Sequence, residues 1–264
     1  MQHRQTVVLA AALVAAAWTH SQAVPTELEV SIEPKVSSAF VWRGQVISDE
    51  WSFQPTVSFQ ASNLTIKALG NWELSSDTNA SEHTRVDTTL DYSAPVGPQL
   101  WSAGFVAYLY QHAPSDSVGN TYEVYVRDVI DVFLLPSLTV YYDLSQIKGF
   151  YGSFSLARSF DLVKDMVAMD VKVALGAADG KYNRAVFSYP EDTATGREAF
   201  DADKTSLVDL TASVSFPFWP ADNVTITPAV KYMNLLDSDL RNAANRIGKD
   251  TDIFYYSLAL EYKF

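Results

Sequence analysis

Apolar and polar residues alternate along this chain in repeated segments of about ten residues. Successive side chains of a β-strand point to opposite faces, so each such segment has one apolar and one polar face. The segments have approximate bounds of 29–43, 51–61, 64–75, 83–93, 99–110, 121–130, 137–144, 150–160, 165–176, 205–216, 223–233 and 253–264. Together they predict an all-β protein of about twelve strands.

The N-terminus has the features of a secretory signal peptide. His3 and Arg4 precede an unbroken apolar run from 7 to 17, and Ser21-Gln22-Ala23 is a small-x-small cleavage pattern. The run is too short for a transmembrane helix, which needs about 20 apolar residues. We expect cleavage after Ala23, which leaves residues 24–264 as one β-barrel domain.

Charge and composition exclude several classes of function. Removal of residues 1–23 takes away one of the 19 basic residues and no acidic residue, so the net charge becomes 18 − 31, or −13. A chain this acidic does not suit nucleic-acid binding, which needs basic patches. It has no Cys, so disulfides and cysteine lipidation are excluded. We expect no cofactor, no metal site and no catalytic site.

The lengths of the connections favour a transmembrane barrel over a soluble sandwich. Every second connection is short, and the long polar ones, 177–204 and 234–252, both fall on the other side. Short periplasmic turns and longer outer loops are typical of outer-membrane barrels, and an even strand count returns both termini to the periplasm. The prediction is a transmembrane antiparallel up-and-down β-barrel in the bacterial outer membrane, with the lipid bilayer as its main partner.

Aromatic residues concentrate near the predicted strand ends, where lipid meets water. The predicted outer ends carry Trp42, Trp51, Phe53, Trp72, Tyr122, Tyr142, Phe150, Tyr232 and Phe254. The predicted inner ends carry Phe59, Tyr92, Trp101, Phe160, Phe216, Phe218, Trp219, Tyr262 and Phe264. The two sets predict two aromatic girdles.

The last strand ends on an aromatic residue with apolar residues spaced two apart behind it. Leu258, Leu260, Tyr262 and Phe264 form this series. It resembles the C-terminal signal of outer-membrane β-barrel proteins that the barrel assembly machinery recognises. The resemblance implies that this machinery is a partner of the chain.

A second resemblance lies near the N-terminus. The stretches SSAFVWRGQVISDE, residues 37–50, and QPTVSFQ, residues 54–60, resemble the opening hairpin of uncharacterised bacterial secreted proteins of the Gcw_chp type, also called TorF-like outer-membrane proteins. The resemblance covers about residues 36–60. It implies a small outer-membrane barrel that takes part in solute uptake, and it carries over no catalytic residues.

Strand parity predicts which charges face the lumen. The inward cations are Lys35, Arg43, Lys67, Arg85, Arg127, Lys172 and Lys231. The inward anions are Glu33, Glu73, Asp87, Asp91, Glu123, Asp143, Asp170, Asp209 and Glu261. Because the two sets nearly balance, we expect pairing across neighbouring strands and a weak cation preference at most. A structural ion-pair network is favoured over a substrate-binding ladder.

The same parity assigns several aromatic residues. Phe40 and Trp42 are predicted to face lipid, while Arg43 is predicted to face the lumen. An anchor of the rim, in which Arg43 pairs with an inward carboxylate, is favoured over a contact with a ligand. An inward track of tyrosines could contact sugars or nucleosides, or could pack among the charges. Its members are Tyr108, Tyr110, Tyr125, Tyr141 and Tyr255.

The favoured function is a porin-like channel or uptake component for small polar solutes. An adhesion barrel whose acidic outer loops contact a partner is the alternative. A lipid hydrolase is a weaker hypothesis, because only His83 and His112 are available after cleavage and no serine motif accompanies His112. We therefore predict that the chain is not an enzyme.

Overall fold

The structure is a computed structural model that describes residues 28–74, 84–110 and 119–264. The predicted signal peptide lies outside these residues. The strands are β1 (Glu29–Glu33), β2 (Lys35–Ser37), β3 (Phe40–Trp42), β4 (Gln45–Ser48), β5 (Ser52–Phe53), β6 (Thr56–Ala61), β7 (Leu64–Glu73), β8 (Arg85–Val96), β9 (Gln99–Tyr110), β10 (Thr121–Ile130), β11 (Ser137–Asp143), β12 (Phe150–Val163), β13 (Val167–Ala178), β14 (Ser206–Ser215), β15 (Phe218–Ala221), β16 (Val224–Leu235) and β17 (Asp252–Lys263). The helices are α1 (Gly180–Phe187) and α2 (Ser238–Arg246).

All strands except β3 and β4 belong to one closed antiparallel barrel of twelve strands. Short breaks divide three of the twelve, so that β1 with β2, β5 with β6, and β14 with β15 each act as one strand. The barrel closes where β17 pairs with β1 at Ser31↔Lys263 and with β2 at Ser37↔Ser257. The predicted fold class is therefore confirmed. Among the described residues, neither helix has the length and hydropathy to span a bilayer.

Most predicted strand bounds agree with the structure to within about three residues, and 99–110 and 121–130 match β9 and β10. The first predicted strand, 29–43, is wrong at its outer end. The barrel strand stops at Ser37, and the chain then turns inward to form the separate hairpin β3–β4. The predicted loop 44–50 consequently belongs mostly to a strand inside the barrel.

The outer face of the barrel is apolar, as the alternation predicts. Mid-strand residues such as Ile66, Val126 and Leu258 are 47%, 49% and 49% exposed, although water would disfavour such exposure. Exposed aromatics lie near both strand ends, for example Trp72 at one end and Trp101 at the other. Trp42 is an exception: its ring lies inside the barrel, 5.3 Å from the ring of Tyr108.

A β-bulge changes the direction of one predicted lipid-facing residue. Between β13 and β14 the register passes from Leu175↔Leu210 to Ala177↔Leu207, so β14 contains one extra residue. As a result Leu207 is 53% exposed, while Val208 is fully buried. Simple alternation along the predicted strand 205–216 places Val208 on the same outward face as Leu210, and the bulge explains why Val208 is buried instead.

The outer end of the barrel contains a hydrophobic core that resembles that of a soluble protein. It joins residues of α1, α2, the barrel wall and the loops, among them Tyr151, Tyr182, Phe187, Leu235 and Leu240. The side chain of Asp179 caps α1 by accepting a hydrogen bond from Tyr182 N at 2.8 Å. Asp237 caps α2 by accepting from Asp239 N at 2.9 Å. These caps satisfy backbone N–H groups that have no partner within a helix.

Candidate functional site

The hairpin β3–β4 crosses the lumen near its outer end. Trp42 pairs with Gln45, so the connection is the two-residue turn Arg43-Gly44. Both residues have positive φ, 49° and 77°, which is typical of the type I′ turn that joins tightly twisted strands. A Cβ atom on residue 44 would lie 3.0 Å from Asp209 Cβ on the far wall, so any residue other than glycine would make the tip move back slightly.

Arg43 at the tip is bound to Glu123 on β10. Its Nη1 and Nη2 donate to the two carboxylate oxygens, each at 2.7 Å. The side chains are only 7% and 1% exposed, so the pair is desolvated and its geometry is bidentate. The predicted pairing of Arg43 with an inward carboxylate is present. Its place differs from the prediction, because the pair lies within the lumen at the end of an inserted hairpin.

Aromatic rings surround the Arg43 guanidinium. Its central carbon lies 4.6 Å from the ring centroid of Trp42, 4.3 Å from that of Tyr141 and 4.5 Å from that of Tyr151. The hydroxyls of Tyr182 and Tyr108 accept hydrogen bonds from Nη1 and Nη2 at 3.1 and 3.2 Å. Desolvated cation–π contacts of this kind can each contribute about 2 kcal/mol. The tyrosines therefore pack around a structural cation at the hairpin tip.

A second buried arginine supports the base of the hairpin. Arg85 Nη2 donates to Asp87 Oδ2 at 2.8 Å, and its Nε lies 2.7 Å from Oδ1. The guanidinium carbon is 4.8 Å from the ring centroid of Phe40 and 4.7 Å from that of Trp42. Phe40 is 6% exposed, so its predicted lipid-facing position is wrong. The Trp42 ring thus contacts the guanidinium groups of both Arg43 and Arg85.

Exposed ion pairs stabilise the loop between β13 and β14 and connect it to the loop between β16 and β17. Arg184 Nε of α1 donates to Asp201 Oδ1 at 2.9 Å, and Lys204 Nζ donates to Asp239 Oδ2 at 2.7 Å. The hydrogen bond from Arg184 lowers the pKa of Asp201, and the one to Asp239 raises the pKa of Lys204. The acidic residues of these loops thus cap the two helices and form ion pairs within the loops that cover the outer end of the barrel.

A cavity of about 190 Å³ lies between the hairpin and the barrel wall. The hairpin contributes Val41 and Trp42, and the wall contributes the lysines Lys35 and Lys231. At about 30 Å³ per molecule in the liquid, this space corresponds to roughly six waters. It can hold a small solute but not a large ligand.

The inward cations fall into two groups that parity alone does not distinguish. The arginines are paired: besides Arg43 and Arg85, Arg127 Nη2 lies 3.5 Å from Asp91 Oδ2. The lysines differ. Within the described ranges, no carboxylate oxygen lies within 4.0 Å of an amine of Lys35, Lys67, Lys172 or Lys231.

The predicted pairing of charges across neighbouring strands is thus wrong in its details. Arg85 and Asp87 lie on the same strand, Arg127 and Asp91 lie two strands apart, and Arg43 comes from the hairpin. Some predicted lumen anions bind uncharged partners instead. Asp209 accepts from the Tyr151 hydroxyl at 2.9 Å, and Asp143 accepts from the backbone of the 144–149 loop.

The other predicted site residues are distributed around the barrel. Glu73 and Asp170 lie on β7 and β13, opposite Ser52 and Ser215 in the register. The C-terminal series Leu258, Leu260, Tyr262 and Phe264 is outward and 49%, 43%, 39% and 72% exposed. His83 and His112, the candidate bases of the hydrolase hypothesis, lie outside the described residues.

The sequence analysis missed several members of the site. Trp42, Phe40, Tyr151 and Tyr182 were not predicted to face the lumen or its cover. A signal for the hairpin was available. Trp42-Arg43-Gly44-Gln45 places glycine at the second turn position, between short stretches rich in β-formers.

The chain is similar in fold to solved outer-membrane barrels. The KdgM porin is 13% identical and has a TM-score of 0.50, with 89% of this chain and 99% of that chain covered. The NanC porin is 12% identical with a TM-score of 0.51, covering 89% and 100%. The COG4313 outer membrane channel from Pseudomonas putida F1 is 8% identical with a TM-score of 0.51, covering 92% and 97%.

At these identities the similarity shows the fold alone. No protein-family model and no curated protein sequence matches the chain. The resemblance of residues 36–60 to the Gcw_chp type is therefore not confirmed. The coarser prediction, an outer-membrane type of β-barrel, is confirmed.

Proposed function

We propose that this protein is a porin-like channel for small polar solutes in the bacterial outer membrane, and that its own hairpin β3–β4 closes it in the conformation described. The observation that carries the proposal is a sealed ring of twelve strands whose apolar side chains point outward and whose charges point inward. This arrangement satisfies backbone hydrogen bonds within the protein and provides a polar interior, as a passage for polar solutes requires.

The hairpin has the properties of a removable closure. It is connected to the barrel strands only through its two ends, and it pairs with no barrel strand. Its side chains nevertheless bind the opposite wall through Arg43 and pack at Val46 against Met233 and Tyr255. A segment held by side chains alone can leave its position without breaking the barrel sheet.

The test is planar-bilayer recording with a reversible tether. Because the chain contains no Cys, the double variant Gly44→Cys/Asp209→Cys would carry the only thiols. A Cβ atom on residue 44 would lie 3.0 Å from Asp209 Cβ, so a disulfide, which needs a Cβ–Cβ distance of about 3.5–4.5 Å, can form once the tip moves back by about 1 Å. We expect conductance in the reduced protein and silence after oxidation. The conductance of each single-Cys variant should be the same before and after oxidation.

The decisive contrary result is a folded protein that is silent in both redox states. Folding is checked by heat-modifiable migration on gels, so that a failure of assembly cannot be mistaken for a closed channel. Wild-type protein, which cannot form the tether, should give the same record with and without oxidant.

The adhesion hypothesis can be distinguished through the loop between β13 and β14. Tyr182 and Phe187 of this loop are part of the outer core, where they are 0% and 6% exposed, which favours a role in closure over one in contacting a partner. We expect deletion of residues 180–200 to raise conductance. A deletion that leaves conductance unchanged and abolishes binding to a cell surface would support the adhesion barrel.

Two further parts of the proposal concern assembly and chemistry. We infer that the protein reaches the membrane by signal-peptide cleavage and by recognition of its C-terminal strand by the barrel assembly machinery. The protein is not proposed to be an enzyme, and purified protein should release no fatty acid from phospholipid vesicles. Hydrolysis that is lost on His112→Ala would overturn that part.

A further inference from the structure

The inner wall of the cavity carries two lysines whose charge is not neutralised by a bound carboxylate. Lys35 on β2 and Lys231 on β16 both line the space beneath the hairpin, and both are half-buried. Burial removes water from an ammonium group, which is costly unless a counter-charge is supplied. The inward arginines Arg43, Arg85 and Arg127 are stabilised in this way, since each has a carboxylate partner within 3.5 Å.

The remaining groups around the lysines do not supply such a partner. Asp87 also lines the cavity, but its carboxylate is held by Arg85 at 2.7 and 2.8 Å. Glu33 lies on the same inward parity as Lys35, two residues away, and within the described part of the chain it forms no ion pair within 4.0 Å. Glu33 can reduce the positive potential but leaves both amines free to bind a solute.

One neutral lining group suits an oxyanion. The wall near the two lysines includes Tyr255, which offers a hydroxyl donor. The Ser37 hydroxyl donates to Ala39 O, and the Gln54 amide donates to Ser52 and Asn71, so these two groups shape the cavity without donating to a solute. Ammonium groups with neighbouring neutral donors can bind carboxylate or phosphate oxygens through charge-assisted hydrogen bonds. The volume of about 190 Å³ limits the ligand to a small oxyanion with a few waters.

A third lysine extends the positive wall. Lys172 on β13 and Lys231 on β16 both face Ser213 of the intervening strand β14 in the register. Their backbones therefore lie at the same height along the barrel wall, separated by two strand spacings, or about 10 Å. Lys172 is exposed to the lumen, so an anion could pass from Lys172 to the more enclosed Lys231.

We propose that Lys35 and Lys231 form a binding site for small oxyanions, either carboxylates or phosphate, beneath the hairpin. The inference builds on the proposed channel function, because it names the class of solute that the channel would pass. It also predicts a preference for anions, in place of the weak cation preference expected from the count of inward charges. The unpaired lysines line the cavity itself, while a large share of the inward anions is held by arginines and tyrosines.

The experiment is calorimetric titration of the detergent-solubilised protein at pH 7 with inorganic phosphate and, separately, with succinate. We expect saturable binding of one or both, and the arm that binds identifies the source of the oxyanion. The double variant Lys35→Gln/Lys231→Gln should weaken binding at least tenfold. Lys249→Gln, which removes one charge from an exposed loop, should not. Glu33→Gln should tighten binding.

Absence of binding for both anions, or an equal loss in Lys249→Gln, would overturn the site. Bilayer recording under a salt gradient separates this result from the fate of the channel. If the protein conducts but binds neither anion, the channel function stands and the oxyanion site is refuted. If it binds phosphate through the lysines but never conducts, the oxyanion site stands and the channel function is refuted.

Discussion

The ion pair between Arg43 and Glu123 should determine how often the channel opens. Replacing Glu123 with alanine leaves the Arg43 guanidinium in an aromatic site without a counter-ion. Since the two side chains are 7% and 1% exposed, the value for a buried pair applies, and loss of one partner costs about 3–5 kcal/mol. The cost falls on the docked hairpin, because a released Arg43 is hydrated.

This free energy converts directly into a change of population. At 1.36 kcal/mol per tenfold, 3–5 kcal/mol shifts the equilibrium between docked and released hairpin by about 150- to 5,000-fold. In single-channel recordings, Glu123→Ala should raise the open probability by this factor or until the channel is permanently open. Arg43→Lys should have a smaller effect, since it keeps the charge and loses the bidentate geometry.

A compensated variant provides the control. Arg43→Met/Glu123→Leu removes both charges, and an apolar pair of similar size is often neutral or stabilising at a buried site. Methionine also makes favourable contacts with aromatic rings, which here include Trp42 and Tyr141. This variant should be as closed as the wild type. An open probability that is unchanged in folded Glu123→Ala would refute the reasoning, as would equal opening of both variants.

The remaining predictions test the barrel face, the C-terminal strand and the outer loops. Val126→Arg places a charge on the lipid face mid-strand and should lower the free energy of unfolding in bilayers by about 2–4 kcal/mol, whereas Val126→Leu should change it little. Phe264→Ser should reduce the heat-modifiable form on gels during expression, while Phe254→Ser should not, although Phe254 is also strongly exposed, at 64% against 72% for Phe264. Normal yields of Phe264→Ser would contradict the assembly signal. Finally, Arg184 lowers the pKa of Asp201. The ion pair between them is therefore fully present above the usual carboxyl pKa of about 3.9 and is lost only as the pH falls through the lowered value. Asp239 raises the pKa of Lys204. The ion pair between them is therefore fully present below the usual lysine pKa of about 10.4 and is lost as the pH rises through the raised value. Conductance should therefore be constant from about pH 5 to 9, and a transition within this window would show that other groups control the loops.

The sequence predicts the barrel well because each barrel strand has an exposed apolar face on the outside and a largely polar face on the inside. Alternation records that difference directly, and it locates most strand ends, as for β9 and β10. It fails where the inside of the barrel is also apolar. Phe40 and Trp42 continue the alternation of the first strand, yet they pack on Arg85 and on the core of the lumen.

Parity also predicts the face of a residue but not its depth or its partners. The inward set of charges was predicted, whereas the division between paired arginines and unpaired lysines was not. That division depends on which side chains the hairpin brings to the same level: Arg43 reaches Glu123 only because the chain turns inward after Ser37. No alternation within a strand contains this information.

The division of cations has a consequence for how a closed channel could admit a solute. Arginine suits the closure because its planar group binds a carboxylate through two hydrogen bonds and stacks on rings, as Arg43 does with Glu123 and Tyr141. Lysine suits the cavity, because its flexible ammonium group can exchange a hydrogen bond to a solute for one to water. A small anion bound at Lys231 would add a negative charge below the hairpin without contacting Arg43. The proposed solute site and the Arg43–Glu123 pair that holds the hairpin are therefore separate groups. We expect mutations at Lys231 to change ion selectivity and mutations at Glu123 to change open probability.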